Sequence, residues 1–171
     1  MRFDLDGAMR ALGVVREFDW SWTEGDLIRF ASAAGWAVAE IGAEPLRLST
    51  DLDVEFRDVH SNIGPIGGKA GRESLNRIIF EVAGVDTVDS TSAAELVSAF
   101  NAIAEGVFQT FGEQANRWWI EPTRGLRWDR PNLVVTVFIS KVAVSIKLVN
   151  PDYQRFLDKI DDSLSGSNSE V

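Results

Sequence analysis

The 171-residue chain has no cysteine and only one histidine, His60. The missing cysteine excludes disulfides, thiolate metal sites and a cysteine nucleophile. Because one histidine is too few for a transition-metal site, we expect no bound metal. A serine hydrolase would need His60 as its base, yet no serine stands in a Gly-x-Ser-x-Gly setting. We therefore expect a protein that is not an enzyme and needs no cofactor.

Long apolar runs are also missing. No stretch approaches the roughly 18–20 apolar residues of a membrane-spanning helix. The first 13 residues, MRFDLDGAMRALG, carry two aspartates and lack the apolar run of a secretion signal. The absence of cysteine suits a reducing compartment. We expect a cytoplasmic protein with no membrane partner.

Basic residues are outnumbered, with 17 Lys and Arg against 26 Asp and Glu, which gives a net charge of −9. A surface of this sign repels nucleic acid and anionic membranes, so we expect no nucleic-acid partner. It would attract a basic protein. The same charge also keeps a protein soluble without any partner, and charge alone leaves both interpretations open.

Apolar periodicity predicts helices and strands in separate blocks. Helices are expected over 5–17, from Thr23 to Gly35, over about 93–113 and from Pro151 to 164. Strands are expected near 36–41, over 46–48 and 54–56, over 74–84, and three or four times between 117 and 149. This order favours an α+β fold, in which a curved antiparallel sheet packs against helices. We expect a single domain over residues 1–164 and a disordered tail over 165–171.

Two helix starts have the spacing of a capping box. Thr23 precedes Asp26 by three residues, and Ser92 precedes Glu95 by three. In a capping box the first side chain accepts a bond from the third backbone N–H, and the third side chain bonds back. We therefore expect these pairs to begin the second and third helices.

Six tryptophans are many for a chain of this length, and Trp is enriched at binding surfaces. We expect Trp20, Trp22 and Trp36, which flank the second helix, to lie in the core. Trp118 and Trp119 are adjacent on a predicted strand and should face opposite ways. Trp128 stands among charged residues, which predicts an exposed edge.

The segment GPIGGKAG, residues 64–71, is half glycine and lies between predicted strands. A phosphate-binding P-loop would need glycine at position 63 and Ser or Thr at 70, where this chain has Ile63 and Ala70. A strand follows rather than a helix, so no helix N-terminus would receive a phosphate. The segment is either a plain connector or a loop that enters a partner's cleft.

The stretch FDWSWTEGDLIRFASAAGW, residues 18–36, resembles the opening of a family of small acidic actinobacterial proteins with a DWSWT…D…GW signature. The chain is also similar to the immunity factor that neutralises the mycobacterial necrotizing toxin, a secreted NAD-glycohydrolase. Length, acidic charge, the lack of cysteine and the order of elements agree over residues 1–164 in outline. Only the tryptophan-containing opening is a specific motif.

This resemblance implies an antitoxin, or immunity protein, that binds a toxin domain in the cytoplasm and blocks its NAD-binding cleft. Glycine permits close backbone approach, so the glycine-rich loop becomes the expected toxin-binding segment. Its residues are Gly64, Pro65, Ile66, Gly67, Gly68, Lys69, Ala70 and Gly71. As an exposed loop tip, it should accept Trp at 67 or 68 without loss of folding.

Two other classes of function stay open. The order of elements is also that of secretion-chaperone-like proteins, which hold an exported substrate without inhibiting it. An enzyme of unknown type is the third possibility, and it would turn over a substrate without any partner.

Overall fold

Strand pairing organises the chain into one antiparallel sheet. The protein is described from a computed structural model, in which residues 1–39, 47–68 and 73–166 are placed. The helices of these residues are α1 (Leu5–Glu17), α2 (Gly25–Ala34), α3 (Ser90–Phe111) and α4 (Pro151–Gly166). The strands are β1 (Arg2–Phe3), β2 (Ala37–Ala39), β3 (Arg47–Ser49), β4 (Asp58–Gly64), β5 (Ser74–Gly84), β6 (Arg117–Trp119), β7 (Gly125–Asp129), β8 (Val134–Ile139) and β9 (Ala143–Val149).

The sheet runs in the order β2-β3-β4-β5-β9-β8-β7-β6, and β1 pairs with β5 beside this path. Every pairing is antiparallel. The sheet is open, and β6 forms one end of it. The expected α+β fold in a single domain, with an antiparallel sheet packed against helices, is thereby confirmed.

The hydrophobic core lies between one face of the sheet and the helices α1, α2 and α3. Strands alternate their side chains between two faces. On β5, Ile78, Phe80 and Val82 point into this core and are fully buried. Trp36 meets the ring of Phe80 edge to face at 4.9 Å. We call the side of the sheet that faces away from these three helices the open face.

The long elements match the sequence prediction closely, whereas the region around residue 54 does not. Helix α1 and strand β5 have the predicted bounds. No strand covers 54–56; Leu52 and Val54 are buried from a stretch of bends, and the strand begins at Asp58. Alternating charged residues gave this segment a strand-like pattern. Of the predicted tail, helix α4 takes in residues 165 and 166, and 167–171 lie outside the described residues.

Both predicted capping boxes are wrong in position. Helix α3 starts one turn earlier than expected: Asp89 Oδ1 accepts from Ser92 N at 2.7 Å, and Ser92 Oγ accepts from Asp89 N at 2.8 Å. Ser92 is therefore the N3 residue of the box rather than its N-cap. In α2 the N-cap residue is Glu24, which makes no side-chain cap bond.

The Asp26 side chain instead reaches back beyond Thr23 and organises the turn before α2. Its carboxylate is fully buried and accepts bonds from Ser21 N and Trp22 N, both at 2.7 Å. Ser21 Oγ and the guanidinium of Arg29 donate to the second oxygen. These bonds hold Trp22 at a φ of 56°, a left-handed conformation that side chains rarely adopt.

The tryptophans of this turn connect it to the rest of the fold by stacking and hydrogen bonds. Trp20 and Trp22 stack at 4.6 Å between ring centres. Trp22 Nε1 donates to the carbonyl of Asn132 at 2.8 Å, across 110 residues of sequence. Trp20 Nε1 donates to the Val15 carbonyl at the end of α1. The prediction is confirmed for Trp22 and Trp36, which are buried, while Trp20 is half-buried against the core.

We expect Asp26→Ala to lower the free energy of unfolding by about 4 kcal/mol, because two backbone N–H groups and Arg29 lose a charged acceptor. Asp19→Ala is the matched control, since Asp19 is an exposed aspartate of the same turn. It should change the stability by less than about 0.5 kcal/mol. Urea unfolding followed by tryptophan fluorescence measures both. Equal midpoints for the two variants would contradict this role of Asp26.

Candidate functional site

The predicted loop joins β4 to β5 and is only partly described. Gly64 ends β4, and residues 66–68 form a short 3₁₀ turn. Pro65 is exposed and Ile66 is half-buried. Lys69, Ala70 and Gly71 lie outside the described residues.

Gly67 is exposed, but it lies beside helix α4. Its φ is +72°, and a β-carbon at this position would lie 3.3 Å from the ring of Phe156. A larger residue here would have to adopt a left-handed conformation and displace that ring. This geometry argues against the expectation that Trp at 67 leaves folding unchanged. Glycine at 67 allows the loop to lie close to α4, and this role is independent of what the loop binds.

The open face carries a row of polar side chains that strand register places side by side. Arg117 pairs with Arg127, Arg127 with Thr136, and Thr136 with Lys147. The row continues through Ile79 of β5 to His60 of β4. His60, the lone histidine, is exposed. Six strands thus contribute to one line of residues across the sheet.

Helix α4 crosses this row and is tied to it by a charged pair. Both terminal nitrogens of Arg127 donate to the carboxylate of Asp158, at 2.8 and 2.7 Å. Gln154 Nε2 donates to the same carboxylate at 2.9 Å. Arg127 is only 8% exposed. The bond from Arg127 holds the pKa of Asp158 below its ordinary value of 3.8, although partial burial opposes this shift.

A groove of about 360 Å³ remains between α4 and the sheet. Thr136 and Lys147 line it from the strands, and Gln154 and Asp158 from the helix. Trp119 forms a further wall, and its ring lies over Gly125, where a β-carbon would come within 2.2 Å of the indole. Glycine at 125 therefore allows the indole to lie flat on the open face.

The end of the sheet at β6 exposes large apolar side chains. Trp118 is 73% exposed and Ile120 is 62% exposed. Trp118 also borders a second groove, of about 300 Å³, that includes Phe108 and Leu126. Trp118 borders both grooves, whereas Trp119 lines only the groove beside α4. Among the strands that the structure describes, β6 pairs with β7 alone.

Trp128 is buried, whereas the sequence predicted an exposed edge. It is 3% exposed, and its Nε1 donates to the carbonyl of Glu113 at 3.0 Å. Its charged neighbours Arg127 and Asp129 point to the other face of β7, because side chains alternate along a strand. Read as an alternation, the sequence GLRWD would have placed Trp128 inside and Arg127 on the open face.

The groove on the open face was missed from the sequence. A signal for it is present in β8 and β9, where Thr136, Ser145 and Lys147 interrupt otherwise apolar strands at alternate positions. Polar residues with a period of two mark a sheet face that lies outside the core. Which strands bring these residues together depends on the pairing order, which local patterns do not contain.

Comparison with known proteins places the chain in a family. Residues 6–150 match a family of unknown function, DUF6301, and the chain belongs to this family. A search of curated proteins and a search of solved structures found no match. Among the described residues, no group of three His, Cys, Asp or Glu is placed to hold a metal ion. No helix within the same ranges has the length and apolar character to cross a membrane.

We expect Asp158→Asn to lower the free energy of unfolding by about 2 kcal/mol at neutral pH, because the buried guanidinium of Arg127 loses its charged acceptor. The folded-state pKa of Asp158 is lowered, so its contribution is present at neutral pH and is lost as the pH falls through that pKa. The difference in the free energy of unfolding between Asp158→Asn and the wild type should therefore become smaller below about pH 4.

Urea titrations at pH 7 and in acid test this expectation. Asp162→Asn is the control, since Asp162 is exposed on the same helix. A stability difference for Asp158→Asn that stays constant from neutral to acid pH would show that the carboxylate charge does not hold α4.

Proposed function

We propose that the protein is an immunity protein, which binds a folded toxin domain of the NAD-glycohydrolase class and blocks its NAD-binding cleft. It acts by binding and catalyses no reaction of its own. The observation that carries the proposal is the exposed pair Trp118 and Ile120 at the open end of the sheet. The resemblance of residues 18–36 supplies the toxin class and the cytoplasmic location.

The end of the sheet at β6 has the properties of a protein-binding surface. Tryptophan is enriched among residues that dominate interface energies. A strand with one unpaired side also offers backbone N–H and C=O groups to a partner. Arg117 beside Trp118 adds a charged group that is 58% exposed. These features favour a protein ligand over a small molecule at this position.

The predicted toxin-binding loop and the end of the sheet at β6 both lie next to helix α4. Phe156 of α4 contacts Gly67 of the loop, and Asp161 of α4 borders the groove next to Trp118. Five helical residues separate these two points, which is about 7.5 Å along the axis. One folded partner can therefore contact the loop and the sheet end together. Residues 64–71, with the cation of Lys69, are the part that we assign to the toxin cleft.

The acidic charge supports association with a basic partner. A net charge of −9 raises the rate of encounter with a positively charged surface, and salt screens this effect. Steering of this kind acts on the association rate more than on the final affinity. The contacts at Trp118 and at the loop would then determine how long the complex lasts.

The experiment co-expresses the chain with a candidate NAD-glycohydrolase domain from a neighbouring gene and measures NAD consumption. We expect inhibition at an equimolar ratio. Trp118→Ala should weaken binding by about 30-fold, the loss typical of an interface tryptophan. Pro65→Trp tests the loop at an exposed position that is not packed on α4. The control is Val88→Ala, which alters a 59% exposed apolar residue just before α3, at the opposite end of that helix from β6.

The outcomes separate the classes of function. Capture of the toxin domain without loss of its activity would favour the secretion-chaperone function. Turnover of a substrate by the isolated chain would favour an enzyme. Full inhibition by both Trp118→Ala and Pro65→Trp would show that neither surface is the inhibitory one, and the absence of binding to the toxin would reject the proposal itself.

A further inference from the structure

Lys147 is a half-buried cation that has no acidic partner among the residues that the structure describes. It lines the groove between α4 and the open face. The nearby carboxylates Asp129 and Asp158 are both bonded to Arg127. Among the described residues, the ammonium group of Lys147 has one cation–π contact, with the ring of Phe138, whose centre lies 5.9 Å from Nζ.

The environment of Lys147 opposes its charge. Burial is the main cause that lowers its pKa, and the guanidinium groups of Arg77 and Arg127 lower it further. Glu81 lies on β5 opposite Ser145, two residues along from the register partner of Lys147, and neither group acts on the pKa of the other. An ammonium group withdrawn from water is normally paired with an anion. An unpaired one beside a groove indicates a position where a ligand supplies the negative charge.

The shape and composition of the groove limit that ligand. Its volume of about 360 Å³ lies at the lower end of small-molecule sites. The indole of Trp119 forms an apolar wall, and the Thr136 and Gln154 side chains line the groove with polar groups. A small molecule with a planar or apolar body and one anionic group fits these surroundings.

The sign and number of charges at the rim select the anion. Asp158 and Asp161 border the same groove. Their carboxylates repel a doubly charged phosphate more than a singly charged carboxylate. Arg127 is bonded to Asp129 and Asp158, and Arg117 at the rim lies 3.8 Å from each of the same two carboxylates. Among the described residues that line the groove, Lys147 is therefore the cation without an acidic partner. One free positive charge matches one carboxylate.

We propose that this groove binds a small carboxylic acid, with the carboxylate on Nζ of Lys147 and the body of the molecule against Trp119. The groove shares Trp118 at its rim with the proposed toxin contact and is separate from the loop. The titration below uses the isolated protein, so its result does not depend on the immunity function. The proposed ligand lies in the interior of the groove, between α4 and the strands of the open face.

The test is an NMR titration of the full-length wild-type protein with benzoate, which combines a carboxylate with a planar body. Benzamide is the matched neutral probe, and inorganic phosphate is the second anion. We expect benzoate to shift the signals of Thr136, Lys147 and Gln154 with a Kd on the order of 1 mM. Benzamide and phosphate should bind at least about tenfold more weakly. Binding should also raise the pKa of Lys147, observed at its ε-carbon.

Two lysine variants complete the experiment. Lys147→Met removes the charge and retains most of the chain length, and it should weaken benzoate binding by about tenfold or more. Lys141→Met changes an exposed lysine and should leave the binding intact. Equal binding of benzoate and benzamide, tighter binding of phosphate, or unchanged binding in Lys147→Met would each overturn the proposal. The wild-type titration alone decides the matter if a variant does not fold.

Discussion

The layer of helices α1, α2 and α3 depends on the hydrogen bonds that the buried carboxylate of Asp26 accepts. This carboxylate binds the backbone of Ser21 and Trp22 and so fixes the turn between α1 and α2. That turn directs Trp22 to the carbonyl of Asn132 and stacks it on Trp20. The two helices then cover the sheet at a set angle, and the third helix packs beside them. A single buried charge, fully supplied with donors, thus connects local turn geometry to the packing of a whole layer.

The residues of the DWSWT…D…GW signature are therefore residues of the fold. Trp22, Asp26 and Trp36 are buried, and Gly35 ends α2 with a φ of 73°. The helix C-terminus needs this left-handed conformation, which glycine adopts without cost. A signature of this kind identifies proteins that share the turn and the helix layer. Because the side chains of Trp22, Asp26 and Trp36 are buried, they do not offer a contact surface, and the proposed contacts come from other parts of the protein.

Local patterns were sufficient for the fold class and for most elements, since α1 and β5 each bury a strongly periodic face. They failed to predict the helix caps, where a side chain binds a different backbone group from the one that residue spacing indicates. Asp89 is the N-cap of α3 three residues before Ser92, and Asp26 bypasses Thr23 to reach Ser21. The groove could not be predicted, because Arg127, Lys147 and Asp158 meet only through strand pairing and the path of α4. The loop was found from its glycines, but its packing on Phe156 was not.

The strand order has a consequence for how the chain folds. Strands β5 and β9 are neighbours at the middle of the sheet, yet the residues that pair, such as Phe80 and Ile146, are 66 positions apart. Closing so long a loop costs entropy before any pairing energy is gained. The first half of the chain leaves the ribosome with one edge of β5 unpaired. We therefore expect the sheet to assemble late, after β9 has been synthesised, and its slow step to be the meeting of these two strands.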